Sequence, residues 1–209
     1  MRVNVLGNGD NASMFERGTK GLLLVCNMPP IALDKEEVYG SCMVDFKMMK
    51  ALSEGSVELD MYDWILGTRP RKWMEMQPAF YMKYAQNIKG FHTHIPVYAQ
   101  LPGHTLTQAA TNYSCGHMAV DYACRVMKAN EVHLYGFDSM FDMNLGSFTD
   151  NFLESDRSAL NTHRMASNWR PIWSKFFKEF DKTQFFVYHS HGGLKFKAPD
   201  NVTVITGGK

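Results

Sequence analysis

The chain has 209 residues, 45% of them hydrophobic and 21% charged, with a formal net charge of +1. That length suits one α/β domain able to bury a sizeable core, and the near-neutral balance argues against a broad electrostatic surface for nucleic acid or acidic membranes. The four cysteines form no CxxC pair and fit free thiols in a reducing cytoplasm. The N-terminus opens on a strand rather than a signal peptide, and no apolar run approaches the ~20 residues of a membrane span.

Residues 3–6 make a short apolar strand. Gly7-Asn8-Gly9-Asp10-Asn11-Ala12 follows in the form G-x-G-x-x-A, which between a strand and a helix lets backbone approach a phosphate closely. Met14 and Phe15 would start that short helix. Residues 22–26 are the second strand, ending at Asn27 before Met28-Pro29-Pro30. A dinucleotide-binding unit carries Asp or Glu at this strand end to hold ribose hydroxyls. Asn27 offers an amide there, able to hydrogen-bond a base, sugar or phosphate, or else it is a plain turn residue. Residues 43–46, containing Asp45, read as a third strand, 47–52 as helix, and 63–66 as a fourth strand ended by Gly67-Thr68-Arg69-Pro70. Trp73, Met74, Phe80, Tyr81, Tyr84 and Ile88 suit an amphipathic helix over 71–88, interrupted at Pro78, with a core-facing stripe. Residues 95–101 read as extended.

The stretch 112–138 is the organising unit. Ser114 suits an N-cap, Cys115 reads as a small residue in a phosphate-binding turn, and Gly116 keeps the first helical turn slim. Met118, Tyr122, Val126 and Met127 fall at helical spacing. Asn130 stops the helix, and an apolar strand then ends in Gly136-Phe137-Asp138. A strand ending this way opens a ligand crevice at the carboxyl edge of an α/β sheet, and a helix start beside it suits a phosphate. An ordinary buried αβ unit gives the same pattern. Residues 139–162 form a polar connection of the length expected for a lid. His163 closes it, just before a helix whose core face is Trp169, Ile172, Trp173, Phe176, Phe177 and Phe180. Residues 185–188 and 202–205 complete a doubly wound, mostly parallel, Rossmann-like sheet within a single domain spanning 1–209.

The eight histidines include the pairs His92/His94 and His189/His191, but no Cys or carboxylate completes a metal-ligand spacing, so no metal site is assigned. There is no G-x-S-x-G elbow and no P-loop. What remains is a set of strand-end turns converging on one crevice: Gly7, Asn8, Gly9 and Asn11, then Asn27, Asp45, Ser114 to Gly116, and Asp138, with His163 entering from the lid. Amides, hydroxyls and N–H groups beside a histidine suit a bound nucleotide with a general base.

In order along the chain, these motifs resemble the bacterial sialyltransferases of glycosyltransferase family 42 and the Rossmann-like domains related to them, a group that includes the archaeal hydroxymethylpterin pyrophosphokinases. Val5-Leu6-Gly7-Asn8-Gly9 is similar to the family's opening strand and turn, and Val25-Cys26-Asn27 to its second strand end. Ser114-Cys115-Gly116 lies where the family has threonine-serine-glycine, and Glu131 to Asp138 matches its next strand. His163, followed by Ser167, Asn168 and an apolar helix, resembles its catalytic histidine. The resemblance implies a sialyltransferase-like GT-A-type fold and an inverting transfer without metal or cofactor. In it Asn8 and Asn27 hold the donor's nucleotide and phosphate, Ser114 and Gly116 hold phosphate or sugar, and His163 takes the acceptor proton. Departures are Asp10-Asn11-Ala12 in place of proline and serine, no phosphate-binding tyrosines after Asp138, and a shorter lid. Small phage-encoded proteins of this type fit the size. The expected partners are a nucleotide sugar, a glycan or modified-nucleobase acceptor, and a second copy of the chain. The alternatives are a metal-dependent pyrophosphokinase-like phosphotransferase using Asp10, Asp45 and Asp138, and a non-catalytic nucleotide- or partner-binding protein.

Overall fold

The computed structural model describes residues 1–141, 159–190 and 192–207, with backbone alone for 159–166. Its centre is one eight-stranded, wholly parallel sheet in the order β5-β4-β3-β2-β1-β6-β7-β8. The strands are β1 (Arg2–Leu6), β2 (Leu22–Cys26), β3 (Gly40–Met43), β4 (Trp64–Leu66), β5 (Ile88–Phe91), β6 (Glu131–Tyr135), β7 (Gln184–His189) and β8 (Val202–Thr206). Central strands buried on both faces need near-continuous apolar runs, and Leu22-Leu23-Leu24-Val25-Cys26 is such a run. Chain direction across the sheet reverses between β1 and β6, which pair in register from Arg2↔Glu131 to Leu6↔Tyr135. Loops leaving their carboxyl ends part to opposite faces there, the place where open α/β sheets bind ligands.

Each face carries its own core. On one, Val5, Leu24, Val132 and Val187 pack under α5 (Cys115–Arg125) and α6 (Ala159–Glu179), whose Ile172, Trp173, Phe176 and Phe177 are buried as their spacing requires. On the other, Leu6, Val25, Met43 and Leu66 pack under α1 (Phe46–Ser53), α2 (Thr68–Glu75) and α3 (Pro78–Tyr84). A last helix, α4 (Leu106–Asn112), precedes α5. No helix among the described residues is long and apolar enough to cross a membrane.

Several boundaries differ from the sequence reading. The turn after β1 leads only to a 3-10 helix, Asp10–Met14. β3 ends at Met43 because Asp45 is the N-cap of α1, its carboxylate accepting from the Lys47 N–H at 3.0 Å. The fifth strand is Ile88–Phe91, not 95–101, which instead contains a 3-10 turn at Val97–Ala99. An edge strand need not bury both faces, so Lys89 and Gly90 are tolerated in it, and Ile88, read as the end of the 71–88 helix, is its first residue. α6 begins at Ala159, so His163 lies inside the helix rather than before it. Of the expected lid, Asp138–Met140 is a 3-10 turn and 142–158 lies outside the described residues, as does His191.

Candidate functional site

The exits of β1, β2 and β6 bring Gly7, Asn8, Gly9, Asn11, Asn27, Gly136 and Asp138 together. The glycines are demanded by close backbone approach. A Cβ on Gly7 would stand 2.7 Å from the Gly136 carbonyl oxygen, and one on Gly9 would stand 2.6 Å from Asp138 Oδ2. Gly9 N–H donates to the Gly136 carbonyl at 3.0 Å, stitching the turn to the β6 exit. Asp138, 8% exposed, accepts from Asn11 Nδ2 at 2.9 Å and from the Asn11 N–H at 3.3 Å. Asn11 Oδ1 in turn accepts from the Ser190 N–H at 2.8 Å. Of the donors that the sequence reading offered to a phosphate in this turn, the Gly9 N–H is thus engaged by a backbone carbonyl and both Asn11 donors by the Asp138 side chain.

Asn8 and Asn27 behave differently. Asn8 Nδ2 donates to the Cys26 carbonyl at 2.6 Å, tying the β1 exit to the β2 exit and fixing which way the amide faces. Its Oδ1 is buried without a hydrogen-bond partner, and so is Oδ1 of Asn27. Asn27 sits at φ 58, a left-handed conformation that Asn tolerates better than most residues. Its N–H donates to the Cys42 carbonyl at 2.9 Å, and its carbonyl accepts from the Ser41 hydroxyl. Two adjoining strand ends therefore each present an unmet acceptor.

Ser114 caps α5 through a reciprocal pair. Its hydroxyl accepts from the His117 N–H at 3.3 Å, and His117 Nδ1 accepts from the Ser114 N–H at 3.1 Å. His117 is fully buried between Tyr113 and Trp173, and burial pushes it down to about 3. Its Nε2 has no hydrogen bond of ordinary geometry, and the Trp169 carbonyl compensates only in part. A ring held neutral inside the core is structural, not a proton acceptor for substrate. Gly116 packs against Phe137: an added Cβ would lie 2.5 Å from that ring. The Cys115 thiol donates to the Cys42 carbonyl at 2.5 Å. A hydrogen bond with Cys115, then burial, pushes the Cys26 thiol well up, and burial does the same for Cys42, so neither is a thiolate nucleophile.

Asp45, besides capping α1, stands 3.8 Å from Arg69. Among the described residues no three His, Cys, Asp or Glu side chains are placed to hold a metal ion. His163 lies in the first turns of α6, its side chain outside the described residues. His189 stacks on Phe141 at 3.9 Å beside the β7 exit.

No protein-family model, curated protein sequence or solved structure matches this chain. One part of the carboxyl edge has no counterpart in the sequence reading. His92, at the β5 exit, is paired with the fully buried Asp121 at 2.6 Å. The pair went unseen because β5 was placed after His92, which removed it from any strand end. From the β1 exit to the β5 exit is four inter-strand steps, ~19 Å at the usual parallel spacing.

Proposed function

We propose that the chain transfers a sugar from a nucleotide-activated donor to an acceptor hydroxyl, with inversion at the anomeric carbon. The supporting observation is the pair of buried, unpartnered amide oxygens, Asn8 Oδ1 and Asn27 Oδ1, at adjoining strand ends beside the topological switch. Each unmet buried acceptor costs about 1–3 kcal/mol, which a ligand that brings donors recovers. Ribose and sugar hydroxyls and base amino groups are donors; an ionised phosphate is not. Asn8 and Asn27 accordingly hold the hydroxyl- or amino-bearing part of the donor. Its phosphate lies toward the first turn of α5, where the Cys115 and Gly116 N–H groups have no intrahelical partner.

In the transfer, the acceptor oxygen attacks the anomeric carbon. The bond from that carbon to the phosphate oxygen breaks, the nucleotide leaves with the electron pair, and the acceptor proton passes to a base. His163 is the proposed base: α6 fixes its backbone immediately after the 142–158 segment. No cofactor is needed beyond the donor itself, and the acceptor class is a glycan or a modified nucleobase.

The test is release of free nucleotide from a panel of nucleotide sugars, with and without candidate acceptors. Acceptor-dependent release is expected from one donor class. His163→Ala should fold normally and lose ~10²–10⁴-fold in single-turnover rate at saturating donor. Transfer by His163→Ala near the wild-type rate would remove it as the base, and the absence of acceptor-dependent release across the panel would remove the transferase reading.

A further inference from the structure

The two edges of the sheet are built differently, and β8 is the open one. Its register with β7 runs from Phe185↔Val202 to His189↔Thr206, and the Phe185 N–H donates to the Asn201 carbonyl at 2.8 Å. By the alternation of a parallel ladder, Thr203 and Ile205 then turn their N–H and C=O groups toward β7. Those of Val204 and Thr206 point outward, with the Val202 carbonyl. The Val202 N–H is met by the Pro199 carbonyl at 3.1 Å, and among the described residues nothing meets the other outward groups.

The β5 edge is guarded. It has four residues, includes Lys89 and Gly90, and its ladder is irregular beside Trp64 and Ile65. Short length, a lysine and a broken register are the usual means of keeping a second strand off an edge. β8 has none of them. It reads Val-Thr-Val-Ile-Thr, five β-branched residues in regular register, without charge, proline or glycine. Such an edge is a template for another strand.

The strand itself selects what pairs with it. Laid antiparallel about a two-fold axis at Val204, two copies of β8 set Val204 opposite Val204, Thr203 opposite Ile205 and Val202 opposite Thr206. Each is a β-branched pair of the kind that stabilises an antiparallel ladder. The outward groups match as well. The two Val204 residues exchange N–H···O=C bonds, and each Thr206 N–H meets the Val202 carbonyl of the second copy. Asp200, the acid beside the strand, lies four positions from the axis, so the two Asp200 residues stand ~26 Å apart and do not oppose the pairing. Pairing β8 with the guarded β5 of another copy would propagate as a filament, whereas β8 on β8 closes at two.

We infer that β8 is a self-association edge, through which two copies of the chain join their sheets antiparallel about Val204. The surface is separate from Asn8 and Asn27 and does not rest on the sugar-transfer reading. One strand edge is smaller than a standard stable interface, so the pair depends on chain concentration.

The experiment is sedimentation velocity of the full chain over about 5–500 µM, beside Val204→Pro. The wild type should shift from monomer toward dimer as concentration rises. Proline at 204 removes an N–H that points away from β7, so the inner ladder stays whole. It also removes both bonds between the Val204 residues and should weaken association ~10-fold or more. Val204→Cys and Thr206→Cys under a mild oxidant test the register. Hydrogen-bonded antiparallel partners lie ~5.5 Å apart at Cα, within disulfide reach. Val204→Cys should therefore give a covalent dimer on a non-reducing gel, and Thr206→Cys, two positions off the axis, should not. The native thiols are buried, so the wild type supplies the background. A wild type that stays monomeric across the range leaves the edge to a strand of another protein and overturns the proposal, as does undiminished association of Val204→Pro. If Val204→Pro does not fold, the two cysteine variants decide: cross-linking confined to Val204→Cys upholds the pairing, and cross-linking in both or in neither overturns it.

Discussion

Replacing Gly116 by alanine tests what that glycine is for. The added Cβ would lie 2.5 Å from Phe137 Cε1 and 3.2 Å from Cζ, against the 3.4 Å or more of ordinary contact, so the ring must retreat by about 1 Å. It cannot do so freely. Phe137 is 6% exposed and meets Trp173 edge-on at 5.6 Å, and Trp173 itself stacks on His117 at 4.1 Å. Overpacking of this kind costs about 1–3 kcal/mol, while Gly→Ala in a helix returns about 0.5–1 kcal/mol. The net expectation is a loss of about 1–2 kcal/mol, or roughly 3–8 °C in Tm for a chain of this size. Urea melts of wild type, Gly116→Ala, Phe137→Leu and the double variant form a cycle. The cost of Gly116→Ala should largely vanish in the Phe137→Leu background. Equal costs in both backgrounds, or a stabilising Gly116→Ala, would refute the steric account and return the glycine to ligand approach.

Two further outcomes follow from the same geometry. His117 is pushed by burial from an ordinary 6.5 down to about 3, so the unfolded chain binds its proton first as pH falls. Its contribution is intact above pH 6.5 and is lost on acidification toward pH 3, at up to about 1.4 kcal/mol per pH unit. His117→Gln keeps a capping-box residue, so urea melts at pH 7 and pH 5 should show a smaller acid loss than in wild type; identical slopes would argue against a neutral buried ring. Asp138→Asn should lower unfolding stability by about 1–3 kcal/mol through its weakened bonds to Asn11, yet leave donor affinity no weaker, because the carboxylate holds the turn rather than the ligand. A large loss of donor affinity in that variant would put Asp138 back among the ligand contacts.

The sheet was legible in the sequence wherever a strand is buried on both faces, because the apolar run then names itself: β2 lies at the residues read for it. The Ser114 cap was equally legible, since capping is local chemistry. What escaped depends on side chains from distant elements. Lys89 and Gly90 hid the edge strand β5, and with it the position of His92 at a strand end. The roles of Gly9 and Gly116 are set by Asp138 and Phe137, far along the chain, so the sequence showed that glycines were present but not what they make room for. Nothing local marks His117 as a core residue, because the Trp173 ring stacked on it comes from α6.

The proposed transfer requires Asn8 and Asn27 to meet a donor's hydroxyl or amino groups. The decisive measurement is the thermal shift produced by a bound nucleotide sugar in wild type, Asn8→Ala and Asn27→Gly. Glycine is chosen because the φ of 58 at Asn27 would strain an alanine. At a donor concentration near 100 Kd, binding adds about 2.7 kcal/mol and should raise wild-type Tm by roughly 5–10 °C. Both variants should melt near wild type without ligand and lose most of the shift with it. Wild-type shifts in both variants would contradict the account.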